Sequence, residues 1–152
     1  LVYQNSIYNY IWGKLLIMKT TVCRKAHFNA AHKLHNKNWS KEKNINVFGK
    51  CSNENFHGHN YELIVKIYGE IDQNTGMVID LSYLKKIIEK EIEEELDHKN
   101  LNLDIPYFKN IIPTTENLAI YIWKKLNKAI DLNCKITVVL YETPRNFVEY
   151  SG

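Results

Sequence analysis

Apolar and polar positions alternate along two long stretches of the chain. Thr21 to Ala30 is rich in β-branched residues and predicts a strand ending near Asn29-Ala30-Ala31-His32. His57 to Glu70 alternates strictly, with Tyr61, Leu63, Val65 and Ile67 on one face and Glu62, Lys66 and Tyr68 on the other, the pattern of a half-buried strand. Between them, residues 35–55 read as a polar, Asn- and Lys-rich loop with no period of its own. Loops of that length inside a domain are often functional. Asp72-Gln73-Asn74-Thr75-Gly76 is a turn by composition.

The period then changes. Asp80 caps a predicted helix with Leu81, Leu84, Ile88, Ile92 and Leu96 at helical spacing, and the acidic run Glu89–Glu95 is expected to face water. Pro113-Thr114-Thr115-Glu116 opens a second helix striped by Leu118, Ile122 and Leu126. Lys135–Thr143 alternates as a strand, and Phe147–Tyr150 is its hairpin partner across Pro144-Arg145-Asn146. The order is ββααββ, an α+β domain with a four-stranded antiparallel sheet and two helices on one face.

Length and composition add limits. The 152 residues suit one domain, 19–152, large enough to bury roughly 70% of its unfolded surface. Residues 1–18 are apolar and aromatic without the marks of a secretory signal, and read as an extension of unknown role. No membrane class is suggested. Cys23, Cys51 and Cys134 are too few and too scattered for a disulfide framework, so a reducing, cytoplasmic compartment is expected.

The net charge of +3 hides an asymmetry: residues 1–60 hold nine Lys/Arg against two acids, and residues 61–152 hold eleven against fifteen. The basic segment is either a solvated surface or a site for an anionic ligand. Nucleic acid fits less well, because no basic helix or basic–aromatic alternation is present.

The candidate chemistry lies in Cys51-Ser52-Asn53-Glu54-Asn55-Phe56-His57-Gly58-His59. His57 and His59 project to the same face of a strand, half of a zinc site, and His32 is the candidate third ligand. His27 and His35 lack such a partner and read as surface or structural. Cys51 either closes a Cys/His site or stands beside the metal as a base or nucleophile. Asp97-His98 is either a helix-end surface pair or a catalytic pair. Glu142 continues the apolar stripe of Ile136, Val138 and Leu140, where a carboxylate needs partners; a planar pair of N–H donors, as on a pteridine or guanine, would satisfy it.

Six motifs in order carry a resemblance to a family: Phe28-Asn29-Ala30-Ala31-His32-Lys33-Leu34, Cys51-x5-His57-Gly58-His59-Asn60-Tyr61, Gly76-Met77-Val78-Ile79-Asp80, Leu96-Asp97-His98-Lys99-Asn100-Leu101-Asn102, Pro113-Thr114-Thr115-Glu116-Asn117 and Tyr141-Glu142-Thr143. Over about residues 20–150 the chain resembles the 6-pyruvoyl-tetrahydropterin synthases. The resemblance implies a tunnelling fold (T-fold) whose copies close into trimeric barrels stacked as a homohexamer, with active sites between subunits. It further implies zinc held by His32, His57 and His59, Cys51 as general base, Asp97 and His98 as a proton relay, and Glu142 anchoring the pterin beside Thr114, Thr115 and Glu116. The implied substrate is 7,8-dihydroneopterin triphosphate, converted to 6-pyruvoyl-tetrahydropterin with loss of triphosphate and no external oxidant. One residue departs from the pattern. Glu54 stands where a variant branch, lacking the cysteine, uses a glutamate to release 6-hydroxymethyl-7,8-dihydropterin for folate synthesis; here it is a surface residue or a second base. A non-catalytic zinc- or pterin-binding assembly is the rival reading.

Overall fold

The computed structural model of the chain describes residues 18–131 and 133–152; the expected extension, apart from Met18, lies outside them. Strands β1 (Lys19–His32) and β2 (His57–Glu70) run antiparallel in unbroken register, from Lys19 opposite Glu70 to His32 opposite His57. Both strands gain a few residues over the sequence expectation or match it, because each keeps its alternation to the last pair. β2 also pairs with β4 (Lys135–Thr143), which pairs with β5 (Asn146–Tyr150).

A fifth strand corrects the expected count of four. β3 (Lys99–Asn100) lies parallel to β1 and makes the sheet order β3-β1-β2-β4-β5. Two residues give no alternation to read. The sheet of the single chain is open, with β3 and β5 at its edges.

One face of the sheet carries the core. Phe28, Tyr61, Leu63, Val65, Ile67, Val138 and Leu140 are fully buried, and so are Leu84, Ile92, Leu96, Leu118, Ile122 and Leu126 from the helices. Each such side chain stabilises the fold by about 1.5–3 kcal/mol relative to exposure. The first stripe belongs to α2 (Leu81–Ile88), which widens into a π-helical turn (Glu89–Glu93) and ends as α3 (Glu94–Leu96). A short α4 (Leu101–Asp104) follows β3, and α5 (Thr115–Ala129) carries the second stripe. Leu81 lies outside the stripe and is exposed.

Two further expectations are corrected. The loop 35–55 contains a helix, α1 (Lys41–Phe48), and a 3₁₀ turn (Gly49–Ser52). Helix α1 buries only Asn44, so it has no apolar stripe to announce it. The acidic run is not simply solvated: Glu91 and Glu95 meet Lys125 Nζ at 3.2 and 2.7 Å, and the Tyr121 hydroxyl donates to Glu95. These contacts tie the π turn to α5.

Among the described residues no helix is long and apolar enough to cross a membrane. All three cysteines are free thiols.

Candidate active site

The register of the first ladder builds the centre of the site. His32 ends β1 directly opposite His57, and two residues on, His59 points to the same face. That face is the core face, so the three imidazoles continue the row of Phe28, Ala30, Tyr61 and Leu63. One side-chain nitrogen from each of His32, His57 and His59 lies within 4.8 Å of the others.

The donor set suits a metal ion. His32 is buried, and its Nδ1 donates to the Pro113 carbonyl at 2.8 Å, which leaves Nε2 as the bare nitrogen facing His57 Nε2 at 3.1 Å. In metal-binding histidines a carbonyl accepting from the other ring nitrogen fixes the ring and its tautomer in this way. His57 Nδ1 and His59 Nε2 are buried without a hydrogen-bond partner, which costs free energy unless something else meets them. Burial first, then the neighbouring His59, holds His57 below the ordinary histidine range; burial does the same to His32 against the opposing Pro113 bond. Both rings are therefore neutral at neutral pH, the form that binds zinc.

Two other groups stand at the cluster. Glu142 Oε1 lies 3.6 Å from His32 Nε2 and 3.8 Å from His59 Nε2. Alternation along β4 puts it on that face, and a register shift follows beside it: β4 and β5 pair at Tyr141–Phe147 and again at Thr143–Asn146, skipping Glu142. Cys51 sits on the 3₁₀ turn, and its carbonyl accepts from Leu34 N at 2.8 Å, fastening the turn just beyond His32. Burial and then the Glu142 charge push its thiol up, so in the protein alone Cys51 is protonated at neutral pH.

Thr115, Glu116 and Glu142 line one cavity of about 310 Å³, joined there by Arg145 and Phe147. Thr114 itself caps α5, its hydroxyl accepting from Asn117 N at 3.3 Å. Glu54 is placed apart from the imidazoles: it is exposed and paired with Lys41 at 2.8 Å, and that bond holds its carboxyl below the usual range.

Asp97 and His98 form a separate unit on the edge of β1 away from β2. Asp97 accepts from Asn29 N at 2.7 Å and meets His98 Nδ1 at 2.9 Å, while His98 N donates to Asn29 O at 2.7 Å. His98 takes a left-handed backbone, φ 58°, to close this arrangement, and its ring is 79% exposed. Within one chain the structure thus groups His32, His57, His59, Cys51 and Glu142, while the exposed His98 lies at the β1 edge and shares with His59 the lining of an open cavity of about 430 Å³. His27 is exposed, and His35 lines a different cavity.

Sequence reasoning missed Tyr61 and Pro113. Tyr61 looks like one more core aromatic of β2, stacked on Phe28 at 5.1 Å, yet its buried hydroxyl has no partner and its ring lies 5.7 Å from that of His59. Pro113 acts through its carbonyl, which no side-chain pattern reveals.

The model of the family described as 6-pyruvoyl tetrahydropterin synthase matches residues 21–152. The chain belongs to the 6-pyruvoyl tetrahydropterin synthase family. A member from Pongo abelii, 6-pyruvoyl tetrahydrobiopterin synthase, is 50% identical over 86% of this chain and 90% of its own length. The solved structure of the Caenorhabditis elegans 6-pyruvoyl tetrahydropterin synthase superposes with a TM-score of 0.83 at 41% identity, covering 90% of this chain and 97% of that one. The T-fold inferred from the motifs is the fold of this family's solved structures. A more distant relative carries a different name: dihydroneopterin monophosphate aldolase of Pyrococcus furiosus is 33% identical over 78% of this chain and 85% of its own length.

Proposed function

We propose that the chain is a zinc-dependent lyase converting 7,8-dihydroneopterin triphosphate to 6-pyruvoyl-tetrahydropterin with elimination of triphosphate. The observation that carries this reading is the meeting of three imidazoles with Cys51 and Glu142 at one end of the sheet. His32, His57 and His59 would hold the metal. When bound, zinc supplies Lewis acidity to the side-chain hydroxyls of the substrate and positive charge to the neighbouring thiol.

The chain's own residues do the rest. Glu142, half-buried, accepts the paired N–H donors of the pterin edge, and Thr115 and Glu116 share its cavity. Cys51 takes the proton from a side-chain carbon. His98, held by Asp97, moves a proton on the other side. Because His98 faces solvent on the β1 edge, it suits a site shared with a neighbouring copy, in keeping with a homohexamer.

Cys51 is favoured over Glu54 as the base. The Glu54 carboxylate is engaged by Lys41 and weakened as a base by that bond. The second reading, side-chain cleavage to 6-hydroxymethyl-7,8-dihydropterin through Glu54, draws on the differently named Pyrococcus relative.

Incubation with dihydroneopterin triphosphate and zinc, followed by chromatography of the pterins, tests both. The pyruvoyl product should dominate and fall by about 100-fold or more in Cys51→Ala, the range of a lost acid–base group. Glu54→Ala should lower chiefly any hydroxymethyl product. Intact substrate and no released triphosphate with the wild type would sink the enzyme reading, and equal loss of both products in each variant would sink the assignment of separate bases.

A further inference from the structure

Strand β2 passes from the imidazole cluster into the core within two residues, because His59 and Tyr61 share one face of it. Tyr61 is fully buried, with Phe28 opposite it on β1 and stacked on it at 5.1 Å. On its other side β2 is paired with β4 as far as Glu62 opposite Tyr141, and one step further along that register Tyr61 comes to Glu142. The two residues are therefore neighbours across the sheet, both on the core face.

Packing alone does not call for a tyrosine at this place. A phenylalanine would stack on Phe28 equally well, whereas the Tyr61 hydroxyl is buried with no hydrogen-bond partner among the described residues, which costs free energy. The surroundings of the ring are polar on one side. It lies 5.7 Å from the His59 ring and 6.3 Å from the His32 ring, and burial, then the charges of Glu142 and Cys51, push the phenol up.

Glu142 is an acceptor in want of a donor. Its Oε1 stands 3.6 Å from His32 Nε2 and 3.8 Å from His59 Nε2, beyond hydrogen-bond range, and His32 Nε2 carries no proton because Nδ1 donates to Pro113. An ionised carboxylate has about four acceptor positions. One hydroxyl therefore leaves room for the paired N–H donors of a ligand.

We propose that Tyr61 is a positioning residue for Glu142: when the site is filled its hydroxyl donates to the carboxylate and fixes the direction in which Glu142 presents its oxygens. The inference rests on the reading of Glu142 as the pterin anchor. A hydrogen bond from a neutral hydroxyl to a carboxylate is among the stronger ones, and a carboxylate aimed in advance loses less freedom on binding.

Neopterin is the probe, titrated by its fluorescence into the zinc-loaded full chain of the wild type, Tyr61→Phe, Glu142→Gln and the double variant. Tyr61→Phe removes one oxygen and keeps the ring. In the zinc-free state it should melt no lower than the wild type, and it should bind as much zinc, whereas its affinity for neopterin should fall about 10-fold. With Glu142→Gln already present the same change should cost under about 3-fold, since a neutral amide oxygen is the weaker acceptor. Unchanged affinity in Tyr61→Phe, with Glu142→Gln still impaired, overturns the positioning role and leaves the pterin reading standing. Equal losses with and without Glu142→Gln also overturn it, giving the hydroxyl another partner such as Cys51. A lower melting temperature or zinc content alongside the lost affinity makes the hydroxyl structural and overturns it as well. Neopterin binding that is absent from the wild type, or insensitive to Glu142→Gln, overturns the pterin reading and this inference with it.

Discussion

At the scale of single residues, geometry turns a common motif into a specific site. A His-x-His pair on a strand is ordinary until a third ring is fixed opposite it, and the Pro113 carbonyl does that for His32. His57→Ala should lower bound zinc per subunit, read by atomic absorption after dialysis; unchanged stoichiometry would remove His57 as a ligand. Asp97 gives a pH prediction. Its carboxyl is held below the ordinary range, chiefly by the Asn29 N–H, so the contact contributes fully above about pH 3.9 and is lost as pH falls through the lower, native pKa. The Asn29 amide resonance should titrate with a midpoint below about 3.9. A midpoint at or above it would contradict the bond. Glu54 could not be placed from its neighbours in the chain, because its partner Lys41 is brought to it by helix α1.

At the scale of elements, legibility followed burial. Helices α2 and α5 were readable because Leu84, Ile88, Leu118, Ile122 and Leu126 repeat at helical spacing and all end in the core. Helix α1 was not, since its one buried residue is polar. Asn44 accepts from Asn36 N at 2.7 Å and donates to the carbonyls of Asn36, Trp39 and Ser40, holding the loop against the helix. Asn44→Ala removes these bonds and leaves the half-buried Asn36 N–H without its side-chain acceptor, at a cost of about 1 kcal/mol or more. Amide exchange across residues 36–48 should accelerate, with α5 little affected; unchanged exchange in that segment would show that Asn44 does not organise it. The register shift at Glu142 belongs to the same scale, for alternation predicted its face while the extra residue in β4, which leaves it unpaired with β5, had no local signal.

At the scale of the molecule, the open sheet and the separated Asp97–His98 pair set the remaining question. A homohexamer should sediment at about six times the mass of the 17.9 kDa chain, and a monomer at working concentration would refute an assembly closed from these sheets. The sequence by itself determined the long strands, the two apolar helices and the identity of the metal-ligand candidates, because period and residue type are local properties. Only the tertiary structure decided which side chains meet. The β1–β2 register puts His32 opposite His57, β4 brings Glu142 to the imidazoles, β3 holds His98 on the far edge, and α1 carries Lys41 to Glu54. Those are contacts between residues distant along the chain, and no local pattern encodes their distances.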